Sequence, residues 1–174
     1  MAFAPGSLSD DAAAWKGQSL VGVQQLDEAG LNLVLAHAER LRGQPRDKVL
    51  ARQRGKILAN VFYEPSTRTS CSFQAAMLRL GGSVFCVAEA TSSAKKGETL
   101  EDTARSLACY ADVLVLRHPE YGAAKRAAVA SRKPTLNAGD GVGEHPTQAL
   151  LDVYTLCRET VSYTHLTLPT NCVV

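Results

Sequence analysis

Apolar and polar positions along the chain fall into alternating short runs and longer periodic stretches. Leu26 to Arg42 has helical composition, with Leu31, Val34, Leu35, Ala38 and Leu41 spaced for one face, and Gly43-Gln44-Pro45 stops it. The apolar run Ile57–Phe62 predicts a buried strand. Ser66–Leu80 then predicts a helix with Phe73, Ala76, Met77 and Leu80 inward, closed by Gly81-Gly82. Ser83–Ala88 predicts a second strand, and Glu89–Glu98 a polar loop. Thr99, with Asp102 three residues on, opens a helix whose stripe is Leu100, Ala104, Leu107, Ala108 and Ala111. Val113–Leu116 and Pro134–Asn137 read as further strands around an Ala-rich helix, Gly122–Ser131. Gly139–Glu144 reads as a flexible loop before a last helix starting at His145-Pro146, with Ala149, Leu150, Val153 and Tyr154 inward. This alternation predicts an α/β fold: a mainly parallel sheet flanked by helices on both faces.

In such a sheet all strand C-termini share one edge, where ligands bind. Four polar stations follow predicted strands: Ser66-Thr67-Arg68-Thr69, the Ser92–Lys96 loop, Arg117, and His145 with Gln148. The first could be an ordinary Ser/Thr helix cap with a solvated arginine. It could equally be an anion site, because a helix start presents free N–H groups and the positive end of the macrodipole. Arg68, Arg117 and Lys96 add cations suited to a doubly charged phosphate. Nucleotide fingerprints fail: there is no G-x-x-x-x-G-K-[ST], and Glu144 stands where a G-x-G-x-x-G run from Gly139 needs its third glycine. A small phosphorylated metabolite therefore fits better than a nucleotide. Asp140 and Glu144 read as solvated loop carboxylates, and His37 and His118 carry little weight.

Composition changes this picture little. Apolar content of 45% and charged content of 21% in 174 residues suit one soluble domain. A net charge of +2 gives no ground for a nucleic-acid or membrane partner, and the basic connector from Arg46 to Lys56 reads as solvated surface. Five scattered cysteines without a C-x-x-C pair read as reduced and mostly buried, with no metal site expected. Met1–Asp10 lacks the features of a signal peptide, so a cytoplasmic location is expected.

Five segments carry a specific likeness: Phe62-Tyr63-Glu64-Pro65-Ser66-Thr67-Arg68-Thr69-Ser70, Lys95-Lys96-Gly97-Glu98-Thr99-Leu100, Arg117-His118-Pro119, Asn137-Ala138-Gly139-Asp140-Gly141, and His145-Pro146-Thr147-Gln148-Ala149-Leu150-Leu151-Asp152. In this order they resemble the aspartate/ornithine carbamoyltransferase family, from about Leu20 to Leu156. The Lys-Lys-Gly-Glu loop, and Thr147 where ornithine enzymes usually have Cys, point to the aspartate branch. The wording is most similar to the transcarbamoylase domain of the animal multifunctional pyrimidine-synthesis protein.

The resemblance implies that Ser66, Thr67, Arg68 and Thr69, with Arg117, hold the phosphate of carbamoyl phosphate. Arg117, Thr69 and His145 would bond its carbonyl oxygen and Gln148 its amide, making Arg68, Thr69, Arg117 and His145 the catalytic set. Ser92 and Lys96 would reach a neighbouring subunit's site, implying a homotrimer. The implied reaction carbamoylates the L-aspartate amine, in de novo pyrimidine synthesis, with no cofactor. The likeness stops after Leu156. The expected organisation is a loose lead-in (1–17), a carbamoyl-phosphate-binding domain (18–156) and a non-family tail (157–174), the family's second, aspartate-binding domain being absent and the chain alone inactive. An ornithine-type enzyme and a non-catalytic, truncated interaction module are the alternatives.

Overall fold

The computed structural model describes residues 15–88 and 97–159. Ser92 and Lys96 lie outside the described residues, as does most of the expected Glu89–Glu98 loop. Four strands, β1 (Ile57–Phe62), β2 (Ser83–Ala88), β3 (Val113–His118) and β4 (Thr135–Asp140), form one parallel sheet in the order β2-β1-β3-β4. Six helices accompany them: α1 (Glu28–Arg42), α2 (Arg46–Leu50), α3 (Thr67–Arg79), α4 (Leu100–Ala108), α5 (Ala123–Ser131) and α6 (Pro146–Glu159).

The parallel sheet explains why β1 is apolar at every position but Asn60. With helices on both faces, alternate side chains enter two separate cores instead of alternating between core and water. Ala59, Val61, Leu114 and Leu116 pack with Ala104, Ala123, Ala124 and Ala127 of α4 and α5. Leu58, Val115 and Ala138 point the other way, onto Met77 and Phe73 of α3. Alanines dominate the α4–α5 side, which lets those helices sit close to the strands.

From β1 the chain moves outward to β2 on one side, then returns to β3 on the other. The crossover direction therefore reverses between β1 and β3, and a crevice opens outside their carboxyl ends. Phe62 is registered against Arg117, and the Tyr63 N–H donates to the Arg117 carbonyl at 2.8 Å. The segment after β1 and the last residues of β3 are thus held side by side.

Several expectations change. β4 is not Pro134–Asn137 but runs through Gly139 to Asp140, beyond a register irregularity between Leu116 and His118. Asp140 is only 5% exposed, so it is no solvated loop residue. The segment before α1 contributes too: Leu20 bridges to Leu136 as a further parallel neighbour of β4, its N–H donating to the Thr135 carbonyl and its carbonyl accepting from the Asn137 N–H, both at 2.9 Å. The basic connector contains the short helix α2, and α6 continues past Leu156 to Glu159, where Arg158 pairs with Glu39 of α1 at 2.9 Å. Ala149 is exposed rather than inward, while Leu150, Val153 and Tyr154 are half-buried. The described cysteines are unpaired, but Cys71, Cys86 and Cys109 are exposed: Cys71 lies on the outer surface of α3, Cys109 just past the end of α4 and Cys86 on the sheet's edge strand. Among the described residues no helix is long and apolar enough to cross a membrane, and no three metal-binding side chains cluster.

Candidate active site

Among the helix starts preceded by a hydroxyl or carboxylate residue, those of α1, α3 and α4, the α3 N-terminus differs. Asp27 caps α1 by accepting from the Gly30 N–H at 2.7 Å, and Thr99 caps α4 by accepting from Asp102 at 3.1 Å. Ser66, the residue before α3, makes no side-chain cap bond despite its hydroxyl. The ordinary-cap reading of this stretch therefore fails, and the first N–H groups of α3 remain available to an anion. Arg68 is exposed and makes no hydrogen bond or ion pair among the described residues. The turn itself is fixed from below. Asn60, buried in mid-β1, donates to the Ser70 Oγ at 2.9 Å, and Gln74 donates to the same oxygen at 3.0 Å. Asn60 was invisible in the sequence, where it interrupts an apolar run without breaking it.

Arg117 lies at the end of β3, half-buried. Its Nη1 donates to the Ala138 carbonyl at 3.0 Å, and its Nε lies 3.5 Å from a Glu64 carboxylate oxygen. Nε is shielded from solvent and has no hydrogen-bond partner among the described residues. The guanidinium lies against Gly139: a Cβ there would stand 2.7 Å from Nη1. A glycine in β4 is what lets an arginine lie along the strand.

The loop from β4 to α6 is built on Asp140. One carboxylate oxygen accepts from the Gly122 N–H and the other from the Glu144 N–H, each at 2.9 Å. Glu144 accepts in turn from the Val23 N–H at 2.5 Å. Both carboxylates therefore stiffen the route to His145, a role their sequence setting among glycines concealed.

His145 is half-buried at the start of α6. Its Nδ1 lies 3.2 Å from the Thr147 hydroxyl, and its Nε2 is shielded without a partner among the described residues. Burial, and then the positive charge of Arg117, hold its pKa below the ordinary 6.5, while Asp152 and the residue's own carbonyl pull weakly upward. The ring is thus neutral near pH 7. Gln148, one turn face away, donates to Asp152 at 3.0 Å and is exposed. The fold thus collects Ser66–Thr69, Arg117 and the His145–Gln148 turn at one sheet edge. A separate cavity of about 570 Å³ lies away from it, between α4 and α5, lined by Glu101, Arg105, Lys125 and Arg126.

A neutral, depressed histidine makes stability pH-dependent. The unfolded ring binds its proton at a higher pH than the folded ring, so lowering pH from 6.5 favours the unfolded state. Urea midpoints are expected to fall between pH 7.5 and 5.5, less steeply in His145→Gln. His37 shifts in the same direction, through burial and then Arg40 and Arg52, and preserves part of the slope. An unchanged slope in His145→Gln would refute the assignment.

Residues 18–158 match the family described as aspartate/ornithine carbamoyltransferase, carbamoyl-P binding domain. The chain belongs to this family. It is 54% identical over 145 residues to the multifunctional protein CAD of Squalus acanthias, covering 82% of this chain and 6% of that protein. It is 49% identical over 146 residues to the aspartate carbamoyltransferase catalytic subunit of Thermococcus gammatolerans, covering 83% of this chain and 47% of the subunit. Among solved structures, it resembles the aspartate transcarbamoylase of Trypanosoma cruzi in complex with carbamoyl aspartate and phosphate, with a TM-score of 0.82 and 43% identity. That likeness covers 89% of this chain and 48% of the other. The chain therefore spans about half the length of the single-function carbamoyltransferases it matches, and their parallel α/β fold is its own.

Proposed function

We propose that this chain is the carbamoyl-phosphate-binding half of an aspartate carbamoyltransferase, serving de novo pyrimidine synthesis in the cytoplasm. The observation that carries this reading is an uncapped helix start meeting Arg117 and His145 at the β1/β3 crevice, within a segment that matches the family's carbamoyl-phosphate domain. The α3 N–H groups, the Ser66, Thr67 and Thr69 hydroxyls, and Arg68 would take the phosphate. Arg117, Thr69 and His145 would share the carbonyl oxygen, and the Gln148 carbonyl would accept from the carbamoyl amide. The aspartate amine then attacks the carbamoyl carbon; the new C–N bond forms as the C–O bond to phosphate breaks, and the amine loses a proton. Fixed donors at the carbonyl oxygen and the leaving phosphate stabilise charge as it develops.

In this reading Ser92 and Lys96 serve a neighbouring subunit of a homotrimer, and aspartate is held mainly by further protein. The 174-residue chain is expected to bind carbamoyl phosphate weakly and to form no carbamoyl aspartate by itself. Calorimetric titration with carbamoyl phosphate tests the first point. Arg68→Ala should weaken binding about 10- to 100-fold, the worth of one or two charged hydrogen bonds on an exposed side chain. Unaltered affinity would remove the phosphate role, and carbamoyl aspartate production by the isolated chain would contradict the division of labour.

A further inference from the structure

The His145 ring has one shielded nitrogen without a partner and one nitrogen beside a hydroxyl. We propose that Thr147 is a positioning residue: its hydroxyl donates to His145 Nδ1 and so keeps the ring proton on Nε2, the nitrogen the site needs as a donor. This rests on the carbamoyl-phosphate reading, since a carbonyl oxygen requires a donor there.

Two observations support the direction of the bond, the place of Thr147 in α6 and the occupancy of the His145 carbonyl. A neutral imidazole carries one proton, so whichever nitrogen accepts leaves the other to donate. The two atoms lie 3.2 Å apart, and either direction satisfies that distance. However, Thr147 is the second residue of α6, with no earlier helical turn whose carbonyl could take its proton. The competing acceptor for an Nδ1 proton is the His145 carbonyl, which is near enough to act on the ring but already accepts the Gln148 and Ala149 N–H groups at 3.0 and 3.1 Å. A proton on Nδ1 would leave Nε2 as a buried lone pair facing a carbonyl oxygen, two acceptors in contact. The charged groups that act on the ring are Arg117, which favours the neutral form, and Asp152, which opposes it. With the ring neutral, the tautomer alone decides whether the site has a donor at that position.

Long-range ¹H–¹⁵N correlation spectra of the labelled 174-residue chain at pH 8, without ligand, test the proposal. In the unsubstituted chain His145 is expected to show a protonated Nε2 and an unprotonated Nδ1. Thr147→Ser should keep this pattern. Thr147→Val, which retains the shape and loses the hydroxyl, should move a substantial share of the proton to Nδ1. His37 and His118 serve as references for an intact fold. If the valine variant does not fold, the unsubstituted chain and the serine variant decide. A proton on Nδ1 in the unsubstituted chain overturns the proposal, as does a folded valine variant with an unchanged tautomer. Adding carbamoyl phosphate separates the two readings: no shift at Nε2 counts against the substrate, whereas the ligand-free tautomer bears only on Thr147.

Discussion

Gly141→Ala is expected to lower the melting temperature by about 6–16 °C. Gly141 has φ +63°, and an ideal Cβ would lie 2.1 Å from the Pro119 carbonyl oxygen and 3.0 Å from its carbon. Both atoms are backbone, so no side chain can rotate away. Pro119 directly follows β3, and the neighbouring turn is tied down by the Gly122 N–H bond to Asp140. The substitution therefore combines a left-handed conformation with a clash that the two strand ends must absorb. About 3–4 kcal/mol is a reasonable cost, and each kcal/mol moves the midpoint by about 2–4 °C in a domain of this size. Gly55→Ala is the comparison: its φ is +78°, but nothing lies within 4 Å of the added carbon. It should cost only the backbone term, about 1 kcal/mol. Gly81 meets the Leu50 carbonyl oxygen more closely, at 1.7 Å, but Leu50 ends a five-residue surface helix that can shift outward. Circular dichroism melts decide the matter: equal losses in Gly141→Ala and Gly55→Ala would show that the strand ends are not held as described.

Sequence patterns revealed the scaffold wherever burial dictates composition. β1 was legible because a strand covered on both faces is apolar at nearly every position, and α3 because Gly81-Gly82 closes a clear stripe. β4 was only half legible. Asn137, Ala138, Gly139 and Asp140 include poor strand formers, yet neighbours on both sides supply the pairing, through β3 and the Leu20 bridge. The groups after strands were legible as a candidate site because parallel topology brings three distant described positions, Ser66–Thr69, Arg117 and His145–Gln148, to one edge. What supports them was not. Asn60 under the α3 turn, Asp140 bonded to the Gly122 N–H and Gly139 under Arg117 act between separate elements. Each makes sense only when strand register is known, and a one-residue slip would move each to the opposite face. The same limit explains Asp140 and Glu144, which among glycines look like solvated carboxylates and in fact accept from three backbone N–H groups, those of Gly122, Glu144 and Val23.

Arg117→Ala is the substitution expected to affect ligand binding most. Arg68 is exposed and in the proposed reading takes only the phosphate, whereas Arg117 is half-buried and is assigned there to both the phosphate and the carbonyl oxygen. Removing it should weaken carbamoyl phosphate binding by about 30- to 3,000-fold, the range of truncating a partly buried, hydrogen-bonded charge. Lysine should not restore affinity. An ammonium on a flexible stem cannot bond the Ala138 carbonyl through one arm and present a planar fork with the others. Two further effects separate loss of the site from loss of the fold. Glu64 loses the guanidinium 3.5 Å away, and His145 loses the positive charge that, after burial, depresses its pKa. The His145 titration should therefore move upward, towards 6.5, in Arg117→Ala, while His37, whose depression comes from burial, Arg40 and Arg52, should not move. Calorimetry with carbamoyl phosphate and a histidine NMR titration on the same samples give both readouts. Lost affinity with a raised His145 pKa would support one shared site. Lost affinity with both histidines altered would indicate a damaged fold. An affinity change below about threefold, less than one charged hydrogen bond is worth, would exclude Arg117 from the ligand and with it the crevice between β1 and β3 as the binding edge.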